Sequence, residues 1–295
     1  MNVATLKRST PTPADLTITP RDLRFGRDER TARWWHRGDP IKTAIFNALS
    51  ATFPKGEANF IESVRAFREH ADERLAGEIR AFTTQEVIHS REHQAFNNRA
   101  VDAGYDLGPL DQQVDESLAL LKQRPPIASL LSTICLEHFT AIIAHELLAD
   151  PKHLAGADGA TADLWRWHAV EEIEHKGVAY DTWLAVTASW PRWKRWKLKS
   201  MMMLLVTRNF VAHRTAGALE LLRQDGLTGW KTKAKLNWAL WGSPGMFRKV
   251  GAAWCKFFLP GFHPWDEDDR GLIKGWEQTY PYLQVPPKKR VRGAI

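Results

Sequence analysis

Two segments of the chain read Glu86-Val-Ile-His89 and Glu172-Ile-Glu-His175. Glutamate and histidine three positions apart share one side of an α-helix, so each pair could offer a carboxylate oxygen and an imidazole nitrogen to one metal ion. Either copy alone is a weak signal, because helices are rich in Glu and the ordinary outcome is a solvated face. The neighbouring positions decide the matter. Residues spaced three and four apart around the first pair are Leu75, Ile79, Phe82, Glu86, His89, His93, Phe96 and Ala100, and around the second Trp165, His168, Glu172, His175, Ala179 and Val186. Both stripes are otherwise largely apolar and must face a core. Burying carboxylates and imidazoles there without partners is costly, so they must be paired or bound to metal.

Two further glutamates lie on apolar stripes. Glu57 shares a face with Phe60, Ile61, Val64 and Phe67, whereas Glu62 falls on the polar side; Glu137 lies in line with Leu130, Ile134, Ala141, Ala144 and Leu148. One Glu from each of two helices plus a Glu-x-x-His from each of two others is the ligand set of a carboxylate-bridged dinuclear site in a four-helix bundle. Four carboxylates balance the charge of two divalent ions, and two imidazoles complete the set as neutral ligands. The alternative is a buried salt-bridge network. Around the proposed ligands Glu57, Glu86, His89, Glu137, Glu172 and His175, supporting positions can be nominated. Glu171 could accept a hydrogen bond from the free nitrogen of His89, and Gln85 could serve His175. His93 and His168 are candidates for an extra ligand or a proton donor, and equally for satisfied core histidines. His138 and His145 have weaker claims, and Asp181 has no assignment.

Helices must position these groups, and strand-type alternation is almost absent. The sequence predicts an all-α fold: a ferritin-like four-helix bundle over 39–190 with a C-terminal helical extension. Helical periodicity starts after Pro40, is interrupted at Pro54 and Gly56, and resumes to Phe67; longer helices are predicted over about 74–103, 127–148 and 162–189, with a short connecting helix over 111–123. Residues 1–38, punctuated by Pro11, Pro13, Pro20 and Gly38, read as an extended arm docked through Trp34 and Trp35. A Trp-rich basic extension over 191–282 is expected to pack on the bundle, with helices at about 193–224, 230–240, 244–258 and 266–279, and 283–295 reads as a disordered basic tail.

Of 295 residues, 44% are hydrophobic and 25% charged, which is ordinary globular usage. The formal charge is +7, yet residues 39–189 hold 13 Lys+Arg against 23 Asp+Glu, so the basic surplus lies outside the ligand-bearing helices. Two cysteines, Cys135 and Cys255, provide neither a disulfide framework nor a cysteine metal site, which makes a reducing cytoplasm the expected setting. The N-terminus does not resemble a signal peptide, and the most lipid-like segment, Met201 to Val206, is far shorter than a span of roughly 20 residues. Fourteen Trp against four Tyr is the compositional anomaly. Arg192-Trp-Lys-Arg-Trp-Lys-Leu-Lys199 followed by Met201 to Val206 fits a helix lying in lipid headgroups, which would imply peripheral contact with an anionic membrane. The ordinary reading is that the Trp residues pack while Lys and Arg face water. No nucleic-acid motif accompanies the charge, so no nucleic acid is expected.

The site residues in their surroundings resemble a bacterial family of predicted metal-dependent hydrolases within the ferritin-like superfamily. The resemblance rests on Ser50-Ala-Thr-Phe-Pro-Lys-Gly-Glu57-Ala-Asn-Phe-Ile, Gln85 to His89 with His93-Gln-Ala-Phe-Asn97, Leu136-Glu-His-Phe-Thr-Ala141, Trp167-His-Ala-Val-Glu-Glu-Ile-Glu-His-Lys176 and Pro260-Gly-Phe-His-Pro-Trp265, and spans about residues 18–282. The run from Glu171 to His175 is also similar to one found in di-iron oxygenases. Three readings follow. The ligand pattern favours a di-iron site performing O₂-dependent oxidation of an unknown organic substrate, which membrane contact would make lipid-like; the family points instead to hydrolysis by a metal-bridging water; the third is a non-catalytic metal-binding bundle. The cofactor expected is two divalent ions, iron favoured over manganese or zinc, and the partner a small-molecule substrate.

Overall fold

The computed structural model describes residues 12–27 and 31–284. Among them there is no β-strand, only an isolated bridge between His36 and Ala157. The fold is all-α. Helices run over Pro40–Ser50 (α1), Phe53–Arg65 (α2), Glu73–Asp102 (α3), Gly108–Lys122 (α4), Pro126–Ala149 (α5), Gly159–His175 (α6), Val178–Val186 (α7), Arg192–Gln224 (α8), Gly229–Asn237 (α9), Met246–Lys256 (α10) and Arg270–Thr279 (α11).

Local chemistry sets the ends of these helices. Asp39 caps α1 by accepting from the backbone N–H groups of Ile41 and Lys42, with Pro40 in the first turn, where no N–H is needed. Asp72 caps α3 and Asp158 caps α6 in the same way. Gly104, just past α3, adopts φ +95°, a conformation that favours glycine.

α2, α3, α6 and α5 pack in a closed ring, each against the next, and α7 continues the α6 column against α3 and α5. α1 and α5 both pack on α8, α10 packs on α5 and α11 on α6. One apolar cluster runs from Phe60, Phe82 and Ile134 in the ring to Met203, Phe257, Trp265 and Trp276. α5 is long and apolar enough to cross a membrane, a property the sequence reading missed, but two thirds of its most apolar window is buried inside the fold. It is the core helix of the ring.

Several expectations change. Pro54 and Gly56 do not interrupt a helix; they lie in the first turn of α2, where proline is tolerated, and the real break is at Ala51 and Thr52. The helix predicted over 162–189 is two helices that part at Lys176 and Gly177, next to His175. The ring of Trp265 lies where a Cβ on Gly177 would sit only 3.0 Å away, so close approach explains the glycine. Of the arm's tryptophans, Trp35 is buried with its ring N–H on Asn47, while Trp34 is partly exposed and bonds Asp225. Leu283 and Gln284 end an ordered turn over Pro281–Gln284 rather than starting a disordered tail; residues 285–295 lie outside the described residues. The tryptophans after Pro191 also divide: Trp265 and Trp276 are buried, but Trp193, Trp230 and Trp238 are exposed, so packing does not account for all of them.

The Gly177 contact is testable. Gly177→Val is expected to cost about 1–3 kcal/mol, read as a lower urea midpoint, because the Trp265 ring must move. Gly251→Ala, inside α10 with nothing within 4 Å of the added carbon, is expected to raise stability by about 0.5–1 kcal/mol.

Candidate metal centre

α2, α3, α5 and α6 each send carboxylates or imidazoles to one layer of the ring. Donor atoms of Glu86, His89 and Glu172 lie within 4.8 Å of one another, as do those of Glu86, Glu137 and His175, and those of Glu57, His89 and His168. All seven side chains are buried. Their order is specific. Glu86 presents Oε2 to His89 Nδ1 at 3.7 Å and Oε1 to His175 Nε2 at 3.4 Å. Glu172 presents Oε1 to the same His89 nitrogen and Oε2 to the same His175 nitrogen, each at 3.6 Å. Glu86 and Glu172 thus span the two histidines, while Glu137 sits at the His175 end, 3.6 Å from its Nε2. Glu57 sits at the other end with His89 and His168.

The atoms facing inward have no hydrogen-bond partner among the described residues: Glu57 Oε1, both oxygens of Glu86 and of Glu137, Glu172 Oε2, His89 Nδ1, His168 Nε2 and His175 Nε2. Orphaned buried acceptors and imidazole nitrogens on this scale are expensive unless a cation completes them. Oxygen and imidazole donors suit a divalent transition ion, so the residues fit the metal that their types imply.

The outward atoms of the same residues are held. His89 Nε2 lies 3.1 Å from Glu171 Oε2, and His175 Nδ1 lies 3.0 Å from Gln85 Oε1. With Glu171 ionised, and with Gln85 Oε1 an acceptor because its Nε2 donates to Glu174, each ring carries its proton outward and aims a lone pair inward. Ser90 donates to Glu57 Oε2 at 2.8 Å. His168 is fixed by a longer chain. Asn97 donates its amide to the carbonyl of Ser50, so its Oδ1 takes the Ser50 hydroxyl at 2.7 Å; Ser50 Oγ then accepts from His93 Nδ1, and His93 Nε2 accepts from His168 Nδ1. The bond directions leave the lone pair of His168 Nε2 facing Glu172, 2.9 Å away. His93 is therefore a relay behind His168, and His168 could be a third imidazole donor.

Sequence reasoning missed Arg21. This arm residue is 7% exposed and holds two buried glutamates at once, Glu171 through its backbone N–H and Nη1 and Glu174 through Nη1 and Nη2, the last at 2.6 Å. Glu174 accepts from Gln85 Nε2 at 2.8 Å. The support of His89 through Glu171 and that of His175 through Gln85 and Glu174 both end on Arg21, whose guanidinium lies over the Trp276 ring of α11. A little further along the arm, the Phe25 N–H and Arg27 pair with buried Glu92 of α3. The available clue was Glu171, Glu172 and Glu174 within four positions of a buried helix, a charge density that requires a cation from elsewhere. His138 and His145 stand outside the cluster, on the Ala253 carbonyl and on Asp269, and Asp181 pairs with His263. A separate group of Glu146, Asp150 and His153 already holds the ammonium of Lys249.

Burial dominates the titration. It pushes the carboxyls of Glu57, Glu86 and Glu137 well above their ordinary value, reinforced by the charge of Glu172, and drives His89 and His93 well below theirs. Burial opposes the ionisation of Glu172 as well, but with no metal bound His175 and His168 in their protonated, donating forms outweigh it and hold this carboxylate well below the usual range. Burial pushes Glu171 up to about 8 against the pull of Arg21.

Two outcomes follow from these contacts. The three raised carboxyls keep protons that the unfolded chain releases above pH 4.5, so the metal-free fold loses stability as pH rises. The lowered histidines oppose this trend only as pH falls below 6.5. The gap in Tm between metal-loaded and chelated protein is therefore expected to widen from about pH 6.5 to about pH 8, measured by differential scanning calorimetry. Arg21→Ala strands two buried carboxylates; a cost of about 3–5 kcal/mol in urea unfolding is expected, with metal affinity weaker by about 10–100-fold in a competition titration.

The sequence model of a family described as predicted metal-dependent hydrolase matches residues 19–268, a range that holds every residue of the cluster and Arg21. No curated protein and no solved structure matches the chain. With the match covering most of its length, the chain belongs to the family of predicted metal-dependent hydrolases.

Proposed function

We propose that this chain is a dinuclear metal-dependent hydrolase. One divalent ion would be held by Glu57, His89 and His168, the other by Glu137 and His175, with Glu86 and Glu172 shared. The observation that carries this reading is the paired span: Glu86 and Glu172 each offer one oxygen to His89 and one to His175. When bound, two such ions supply Lewis acidity, which polarises an ester, amide or phosphate group and acidifies water.

The chain's own residues prepare that chemistry. Glu171 and Gln85 orient the two bridged imidazoles, and the chain from Asn97 to His168 fixes the third. Phe82, Trp167 and Phe53 close the site, with rings 4.9 Å from His175, 4.9 Å from His89 and 4.7 Å from His168 respectively. Their exclusion of water strengthens every charge interaction inside. That enclosure also favours a second reading, oxidation of a bound organic substrate by O₂ at iron. A diatomic molecule reaches donors this deeply buried more readily than an ester does.

Metal analysis of anaerobically purified protein, with paired assays of chromogenic ester and phosphate hydrolysis and of O₂ uptake, separates the readings. The expected result is about two metal ions per chain and a hydrolysis that chelation abolishes. Glu86→Ala and His175→Ala should lose metal and activity together. O₂ uptake with a spectral change and no hydrolysis would establish the second reading, and full metal content in both variants would remove the site.

A further inference from the structure

α8 is amphipathic on its inner side in the ordinary way, with Lys199, Met203, Val206 and Leu221 buried. Its outer side departs from the rule that a solvent face is polar. Trp193, Lys197, Met201, Leu204 and Arg208 follow one another at intervals of three and four residues and are all exposed, so they form one continuous stripe. Trp193 is 65% exposed, Met201 57% and Leu204 56%, and Leu205 beside them 47%. Single exposed apolar side chains need no explanation, but a contiguous row does.

The charges around the row identify what covers it. From Pro191 to Leu219 the sequence contains no Asp or Glu. Lys194, Lys197 and Arg208 are exposed, and among the described residues none of them has a carboxylate partner; Lys194 lies over the Trp190 ring. A second copy docked face to face would set these cations against their equals, which is unfavourable. A layer of anionic headgroups over acyl chains matches both parts, with Lys and Arg reaching the phosphates along aliphatic stems while Trp, Met and Leu enter the boundary.

We propose that the outer stripe of α8 binds the surface of an anionic lipid bilayer, holding the protein as a peripheral membrane protein. The helix lies in the headgroup plane and does not span. This proposal is independent of the metal centre and of the reaction it performs.

The test is co-sedimentation of the full chain with phosphatidylcholine vesicles containing or lacking phosphatidylglycerol, at low and at physiological salt. Tryptophan fluorescence and analytical ultracentrifugation accompany it. Expected are binding that requires the anionic lipid and weakens with salt, and a blue-shifted emission. Each removed cation should weaken binding about fivefold, so Lys194→Ala with Lys197→Ala should lose about 25-fold. Trp193→Ser with Leu204→Ser should lose binding and the blue shift while metal content and the far-ultraviolet circular dichroism stay unchanged, because more than half of each side chain is exposed. Failure of the folded protein to sediment at low salt would overturn the proposal. So would binding that ignores lipid charge and both double variants. A dimer in solution that Leu204→Glu dissociates would assign the stripe to a second copy instead.

Discussion

The constraint that governs this molecule is a concentration of buried carboxyl groups, each of which must be protonated, paired or bound to a cation. Glu57, Glu86, Glu137 and Glu172 face one another inside a helical ring, and Glu171, Glu174 and Glu92 stand directly behind them. An apolar interior does not tolerate such a concentration without compensation. The two layers are compensated differently. The outer carboxylates receive arginines from the N-terminal arm, Arg21 for Glu171 and Glu174 and Arg27 for Glu92. Among the described residues the inner four have no Lys or Arg partner, and their orphaned oxygens face the orphaned nitrogens of three histidines. Arginine from the arm neutralises the outer layer, and the donor types of the inner layer fit a divalent cation.

This division explains what the sequence could disclose. Glu86, His89, Glu172 and His175 stand out because helical spacing puts polar residues on stripes such as Leu75, Ile79 and Phe82, and Glu57 and Glu137 stand out for the same reason. The all-α class was legible from the same periodicity. The arm's part was not, because Arg21 sits in a segment with no period and its partners lie 150 and 153 positions away. Nor was the parting of α6 from α7, since Ala179 and Val186 continue the stripe past Gly177 and only the Trp265 ring, brought from far along the chain, reveals why glycine is there. Composition counted the tryptophans of the C-terminal half without saying which way each one faces.

The histidines show how directional hydrogen bonds turn a cluster into a site. An imidazole offers either nitrogen, and proximity alone does not say which carries the lone pair. Here each ring has an outward partner that accepts its proton: Glu171, Gln85, or His93 backed by Ser50 and Asn97. The inward donors are thus set before any ion arrives, which reduces the reorganisation that binding requires. The aromatic wall of Phe53, Phe82 and Trp167 keeps those rings from turning, so packing and hydrogen bonding specify the same orientation.

The clamp at Arg21 has a consequence for assembly. α3, which carries Glu86 and His89, leaves the ribosome well before α6, so Glu57, Glu86 and His89 exist while His168, Glu172 and His175 are still unmade. The arm emerges earlier still, yet Arg21 has nothing to grip until Glu171 and Glu174 have been synthesised and a loop of 150 residues has closed. A residue 150 positions upstream of its partners thereby acts as a completion check. The outer supports of His89 and His175 are complete only once everything between Arg21 and Glu174 has folded.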